Sequence, residues 1–157
     1  MIPANVRRRH NGKIASSTRG QYMAHVYPEV KSLEKHALIG DGNCVALIQK
    51  LTNVGHTSQW RPETRVMDSR NIAPGTVIAT FEDGRYPNRH TGNHAAFYLY
   101  SGPNSVKTGK PAYIVVMDQW KKKGQVSARS IYPKARKLSI GLVYDDSDNA
   151  EMFYVVK

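Results

Sequence analysis

The chain has 157 residues, 40% of them hydrophobic, and a formal net charge of +11 at pH 7. This length suits one domain with a buried core and is too short for two, and the hydrophobic content excludes a disordered chain. No apolar stretch approaches the roughly 20 residues that a membrane-spanning helix needs, so we expect no transmembrane segment.

The sequence predicts a basic arm at the start of the chain. Residues 1–20 mix Arg, Asn, Gly and Ser with little apolar periodicity, which predicts a loose segment at the start of a single domain spanning 1–157. They also lack the apolar core of a cleavable signal peptide, so we expect synthesis in the cytoplasm without one. Apolar residues then recur at helical spacing within 29–38 and predict a short helix or turn.

A turn and a helix follow between residues 40 and 51. The letters GDGN form a turn cluster, and Asn43 is a residue type that commonly caps a helix start. From Cys44 to Leu51 the apolar residues would bury one side of a helix. The sequence therefore predicts a helix whose first turn carries the one cysteine of the chain.

The rest of the chain is predicted to form strands. A loop with Trp60 and Pro62 leads to β-branched and aromatic runs separated by turn residues. The predicted strands are 76–81, 94–100, 112–120, 126–132, 137–144 and 151–156, with a polar loop at 82–93 and a hairpin loop at 145–151. Helices first and strands afterwards give an α+β domain, in which the cysteine helix packs on a mixed or antiparallel sheet of five or six strands.

Cys44 has the setting that a nucleophilic thiolate requires. At a helix start, free N–H groups and the positive end of the helix dipole favour the anion and lower the thiol pKa. The same N–H groups can donate to the oxyanion of a tetrahedral intermediate. The alternative is that Cys44 is a small buried hydrophobe, as many free cysteines are. Asp41 would raise the thiol pKa unless it points away or caps the helix.

A base and an orienting group are available on two predicted strands. His94 begins a strand and would accept the thiol proton and later protonate the leaving amine. Asp118 ends an apolar strand, where burial is costly unless a partner such as His94 satisfies it. Gln119 is the second candidate for this role, because a one-residue bulge would exchange the two faces of the strand.

Further candidates could contact the substrate or its oxyanion. Gly42 would let substrate backbone approach, Asn43 flanks the cysteine, Asn93 could donate a hydrogen bond, and Trp120 could form a cleft wall. A zinc site that uses His90 and His94 is a disfavoured alternative. Their four-residue spacing would bring two ligands together only on a helix, and the sequence predicts a loop here. We expect no metal and no cofactor.

The segments GNCVALIQ, GNHAAFYL and VMDQW, with GTVIATFEDGRYPN before the second, resemble small bacterial cysteine amidases. These are relatives of the CHAP and NlpC-type peptidoglycan hydrolases, and the pattern is most similar to amidase effectors of type VI secretion systems. The resemblance covers roughly residues 38–132.

The resemblance implies a papain-like fold and hydrolysis of an amide bond in the peptide stem or cross-link of peptidoglycan. Cys44, His94 and Asp118 match the nucleophile, the base and the third member. It also implies an antibacterial toxin delivered into the periplasm of a target bacterium and blocked by a cognate immunity protein. Papain has an oxyanion-hole glutamine six residues before its cysteine, whereas position 38 is leucine here, so the second oxyanion donor is unidentified.

A second hypothesis is a basic module that binds nucleic acid or cell wall without catalysis. The charge of +11 and nine tyrosines allow phosphate contacts and base stacking. No recognisable nucleic-acid-binding motif is present, so we expect no specific nucleic-acid partner.

Overall fold

The structure is a computed structural model that describes residues 24–135 and 145–157. The predicted arm at 1–20 and the predicted strand at 137–144 lie outside the described residues. No helix in the described part of the chain is long and apolar enough to cross a membrane.

Within these ranges the chain forms one α-helix and six strands, joined by loops and short 3-10 helices. The helix α1 is Cys44–Leu51, as predicted. The strands are β1 Pro62–Arg65, β2 Val77–Thr80, β3 Ala95–Ser101, β4 Ile114–Asp118, β5 Ser127–Ile131 and β6 Phe153–Val156.

The strands form a single antiparallel sheet in the order β1-β6-β2-β3-β4-β5. Helix α1 packs against the central strand β3. This arrangement confirms the predicted α+β architecture of a cysteine helix on an antiparallel sheet.

Alternation along the central strands divides the core into two layers. Ala95, Phe97 and Leu99 face the layer that contains Leu47 and Ile48 of α1. Ala96 and Tyr98 face the opposite layer, which contains neighbours from β4, β5 and β6. Successive side chains of a strand point to opposite faces, so β3 contributes side chains to both layers.

The segment 29–38, predicted as a short helix or turn, forms a single short helix. Only a 3-10 helix, Val30–Leu33, is present, with both of these side chains buried. Glu34 leaves the helical region with a ψ of 124°, Lys35 has a φ of +64°, and the Lys35 N–H donates to Val126 O. A contact with a distant segment thus ends the helix after one turn.

The predictions for β1 and for the last strand need correction. The sequence predicts a loop with Trp60 and Pro62, but the structure has strand β1 there. The sequence of β1, PETR, has no apolar alternation because its residues are exposed or half-buried at the sheet edge. The sequence also predicts that the last strand follows a hairpin loop. Instead, β6 lies between β1 and β2 and pairs with both. The segment before it, predicted as a hairpin loop, contains two 3-10 helices, Asp146–Asp148 and Ala150–Met152.

Candidate active site

The start of α1 holds the thiol in a capped first turn. Asn43 Oδ1 accepts a hydrogen bond from Ala46 N at 2.9 Å, as expected of an N-cap. Asp41 in turn accepts from the backbone N of Asn43 at 3.0 Å and from its Nδ2 at 2.5 Å. The Asp41 carboxylate is therefore committed to the cap residue, and Cys44 is left half-buried at the helix start.

The imidazole and the carboxylate meet at the end of the central strands. His94 Nε2 lies 2.8 Å from Asp118 Oδ2, with the two residues 6% and 0% exposed. The register that pairs Phe97 with Met117 makes Asp118 a diagonal neighbour of His94 on one sheet face. This hydrogen bond uses Nε2 and leaves Nδ1 for the thiol.

The thiol and the imidazole shift each other's pKa. Burial alone raises the pKa of the Cys44 thiol, but the hydrogen bond and charge of His94 outweigh it, helped by the Ala95 N–H and the Tyr86 hydroxyl, so the net pKa is lowered. Burial lowers the pKa of His94, yet Asp118 and the thiolate raise it to about 9. Each group therefore favours the charged form of the other, thiolate for Cys44 and imidazolium for His94.

Two further cations share the Asp118 carboxylate. Lys123 Nζ donates to Asp118 Oδ1 at 2.6 Å, and Arg129 Nε donates to Oδ2 at 2.7 Å. Burial raises the pKa of Asp118, but His94 first, and then Arg129 and Lys123, hold it well below its usual range. The carboxylate is thus a permanent anion with three positively charged neighbours.

Sequence reasoning missed Lys123 and Arg129. Lys123 stands in a KKK run whose sequence is typical of a turn, and Arg129 lies on a strand with exposed alternate residues. The available signal was the burial of Asp118 at the end of an apolar strand, because a buried carboxylate needs more than one donor.

Trp120 lies over this charge cluster. Its ring centre is 4.9 Å from Lys123 Nζ and 5.5 Å from the Arg129 guanidinium carbon, both within cation–π range. The His94 ring meets it edge-on at 6.3 Å. Trp120 also lines the cavity, in keeping with the predicted cleft wall.

Gln119 has partners other than the imidazole. Its Oε1 accepts from Ile39 N, and its Nε2 donates to the carbonyl oxygens of Ile39 and Asn43, each at 2.8 Å. The bulge that would have turned Gln119 toward His94 is absent from β4 at this point. The amide instead ties the end of β4 to the segment that leads into α1.

A cavity of about 1010 Å³ opens above the thiol. Of the eight residues proposed from sequence for catalysis or substrate contact, its walls include Cys44, His94, Asn43, Asn93 and Trp120. Asp118 and Gln119 are fully buried behind these walls.

Gly42 does not line the cavity, contrary to the expectation that it would make room for substrate. It is buried with a φ of +83°, and a Cβ at this position would lie 3.1 Å from Leu38 Cδ1. Its role is conformational, since the left-handed backbone favours glycine in the turn before α1.

The hydroxyl of Tyr86 belongs to the site, although Tyr86 is not among the candidates named from the sequence. Tyr86 Oη lies 3.9 Å from Cys44 Sγ and accepts a hydrogen bond from Asn93 Nδ2 at 3.1 Å. Tyr86 lies in the polar loop at 82–93, and 42 residues of sequence separate it from Cys44. No local sequence pattern therefore indicated this contact. His90 lines the same cavity, and no group of three or more His, Cys, Asp or Glu side chains within 24–135 and 145–157 is arranged to hold a metal ion.

A thiol at a helix start, an imidazole at the start of a central strand and a carboxylate on the next strand define a papain-like cysteine hydrolase. The chain belongs to the domesticated amidase effector 2 family, whose profile matches residues 13–156. This membership confirms the predicted relation to small amidase effectors, while the wider relation to CHAP and NlpC-type hydrolases stays a prediction.

Two relatives agree with this assignment. A type VI secretion amidase effector 2 protein of Salmonella typhi is 43% identical over 145 residues, which cover 86% of this chain and 100% of the relative. The solved structure of type 6 secretion amidase effector 2 (Tae2) matches with a TM-score of 0.70 at 40% identity. That match covers 84% of this chain and 93% of the other.

Proposed function

We propose that this protein is a cysteine amidase that hydrolyses an amide bond in the peptide stem or cross-link of bacterial peptidoglycan, and that it is an antibacterial effector delivered by a type VI secretion system. The observation that carries the proposal is the convergence of Cys44, His94 and Asp118 beside a large cavity in a chain that is 43% identical to such an effector.

In the proposed reaction the Cys44 thiolate attacks the carbonyl carbon of the scissile amide. The carbonyl electrons move to oxygen, and N–H groups at the start of α1 stabilise the oxyanion. The His94 imidazolium then protonates the amine as the C–N bond breaks, leaving an acyl-enzyme. Neutral His94 next takes a proton from water, which attacks the acyl carbon and releases the thiolate.

Asp118 orients the imidazole and stabilises its positive charge throughout this cycle. Lys123 and Arg129 prevent the carboxylate from taking the proton itself, because they stabilise its anionic form. The ring therefore retains the proton until the leaving amine accepts it.

The proposal includes the place of action and a protein partner. Peptidoglycan of a target bacterium lies in its periplasm, so delivery there would bring enzyme and substrate together. A producing cell that meets its own toxin needs protection, and a cognate immunity protein that blocks the cavity above Cys44 would provide it. A non-catalytic binding module would have no use for a buried imidazolium–carboxylate pair beside a thiol.

The test is digestion of purified peptidoglycan sacculi, followed by mass spectrometry of the soluble muropeptides. We expect the native protein to release fragments with a newly exposed amine and carboxylate, and Cys44→Ala to reduce the rate about 10³-fold or more. Ser32→Ala, an exposed change in the 3-10 helix Val30–Leu33, is the control and should digest normally. Undiminished digestion by Cys44→Ala would exclude the nucleophile, and intact sacculi after treatment with native protein would exclude the substrate.

A further inference from the structure

The proposed reaction moves a negative charge from the Cys44 sulfur to the carbonyl oxygen of the substrate. Enzymes that form such oxyanions commonly supply two hydrogen-bond donors, and removal of one costs about 10²–10³-fold in rate. The start of α1 provides backbone N–H groups as one source. The side chain at position 38 is leucine, which cannot donate.

The Tyr86 hydroxyl is placed to be the second donor. Its oxygen lies 3.9 Å from Cys44 Sγ on the wall of the cavity, and the residue is 7% exposed. In a tetrahedral intermediate the oxyanion is two bonds from sulfur, so a donor beside the sulfur can reach that oxygen.

The direction of the hydroxyl proton follows from its other partner. Asn93 Nδ2 can only donate, and it donates to Tyr86 Oη at 3.1 Å. The hydroxyl therefore acts as acceptor toward Asn93, and its own proton is free to point at the sulfur. The pKa of Tyr86 is raised, mainly by burial and then by the negative charge of Cys44, so the hydroxyl keeps this proton at working pH.

The tyrosine is held in place from both ends. Its ring packs against the buried Trp60 at a centroid distance of 5.1 Å. At the other end, Asn93 Oδ1 accepts from Arg89 N at 2.7 Å, which fixes the amide that orients the hydroxyl. Fixed donors stabilise a developing charge well, because they do not need to reorganise during the reaction.

We propose that Tyr86 is a catalytic residue that donates a hydrogen bond to the oxyanion of the tetrahedral intermediate, in place of the glutamine of papain, and that Asn93 positions it. This proposal rests on the cysteine amidase function proposed above. As the S–C bond forms, the hydroxyl contact passes from sulfur to the carbonyl oxygen, and no proton is transferred from Tyr86. When the intermediate collapses, the hydroxyl returns to the sulfur side.

The first experiment compares Tyr86→Phe with native protein in sacculus digestion. We expect kcat/KM to fall about 10²–10³-fold, chiefly in kcat, since the lost bond forms in the transition state. Tyr98→Phe is the matched control, because it removes another buried hydroxyl, bonded to Ser101 Oγ at 2.8 Å in the opposite core layer. Tyr98→Phe should retain activity, and a loss of less than about threefold in Tyr86→Phe would overturn the proposal.

The second experiment separates an oxyanion contact from a contact to the thiolate alone. Cys44 is the only cysteine, so iodoacetamide alkylation reports its thiolate, and that reaction forms no oxyanion. N-acetylglycinal, a small aldehyde, adds to a thiolate and creates a tetrahedral oxygen, and its binding is measured as protection from alkylation. We expect Tyr86→Phe to change the alkylation rate less than about threefold and to weaken aldehyde protection at least about tenfold.

The outcomes distinguish this proposal from the proposed function. Equal aldehyde protection in native and Tyr86→Phe protein would refute the oxyanion role, even if sacculi are digested. Equal losses in alkylation and protection would make Tyr86 a partner of the thiolate only, which also refutes the proposal. Native protein that leaves sacculi intact but shows the expected aldehyde difference would refute the wall substrate and leave the oxyanion role supported.

Discussion

The charge states of Cys44, His94 and Asp118 determine the reactivity of this site. His94 favours the anionic form of Cys44 by lowering its pKa, and Asp118 and Cys44 favour the cationic form of His94 by raising its pKa. Their protons come off as those of a coupled pair, so apparent pKa values belong to the pair. The reactive ion pair exists between the lowered pKa of the thiol and the raised pKa of the imidazolium.

The opposite pKa shifts of Cys44 and His94 predict a bell-shaped pH profile of activity. We expect kcat/KM to rise as the thiol loses its proton and to fall near pH 9, where His94 loses the proton that the leaving amine needs. The measurement is digestion of sacculi at a series of pH values, with alkylation of Cys44 alongside. Activity that continues to rise well above pH 9 would contradict the imidazolium role.

Asp118→Asn tests the same ion pair and supplies the comparison for that profile. It removes the anion that holds the ring proton and leaves Lys123 and Arg129 without their shared partner, so the alkaline limb should move to lower pH. Asp68→Asn, which changes a carboxylate with a 46% exposed side chain, is the control and should leave the profile unchanged. An unshifted alkaline limb in Asp118→Asn would mean that another group sets it.

Among the elements, the junction between β4 and the segment before α1 decides whether the site is assembled. Cys44 lies on the helix that packs in one core layer, whereas the His94 ring meets Phe153 of the other layer. They meet because the helix start reaches the end of the strands. Gln119 fixes this relation through three hydrogen bonds across about 80 residues of sequence.

We predict that Gln119→Met lowers the free energy of unfolding by about 2–4 kcal/mol. The change removes three part-buried hydrogen bonds to Ile39 and Asn43, each of which contributes about 0.5–1.5 kcal/mol net. Urea denaturation followed by circular dichroism measures the loss, and Gln125→Met, at an exposed position, is the control. The pH profile of Gln119→Met should keep its alkaline limb, and a shift like that of Asp118→Asn would restore Gln119 as the orienting group.

At the scale of the whole molecule, the net charge of +11 is a property that the site does not explain. A positive protein is attracted to an anionic polymer, and salt screens this attraction, since the Debye length falls from about 10 Å at 0.1 M to about 3 Å at 1 M. The charge would therefore assist the approach to cell wall.

The expected result is salt-dependent binding of Cys44→Ala protein to sacculi. Co-sedimentation should decrease several-fold between about 0.05 M and about 0.5 M sodium chloride, because exposed charges are screened. Lys107→Glu with Lys122→Glu, both exposed positions, should weaken binding at low salt and have little effect at high salt. Binding that is equally strong at both salt concentrations would mean that contacts in the cavity, and not the net charge, hold the protein on the sacculi.

Local chemistry in the sequence determined much of this protein. An Asn cap and an apolar face predicted α1 with its bounds, and the apolar runs beside His94 and Asp118 placed both residues at the ends of strands. These features depend on neighbours a few residues away, which sequence patterns report directly. The thiol, imidazole and carboxylate could therefore be named from the sequence, although their catalytic roles stay a prediction.

Only the tertiary structure decided what surrounds those three groups. Tyr86 reaches the sulfur from a loop, Lys123 and Arg129 converge on Asp118 from a turn and a strand, and Gln119 crosses to the helix side. None of these contacts has a local periodicity, because each joins groups whose spacing in sequence is arbitrary and whose pairing is decided by burial. A buried carboxylate or amide must find partners wherever the fold brings them, and that requirement becomes specific only when the chain has folded.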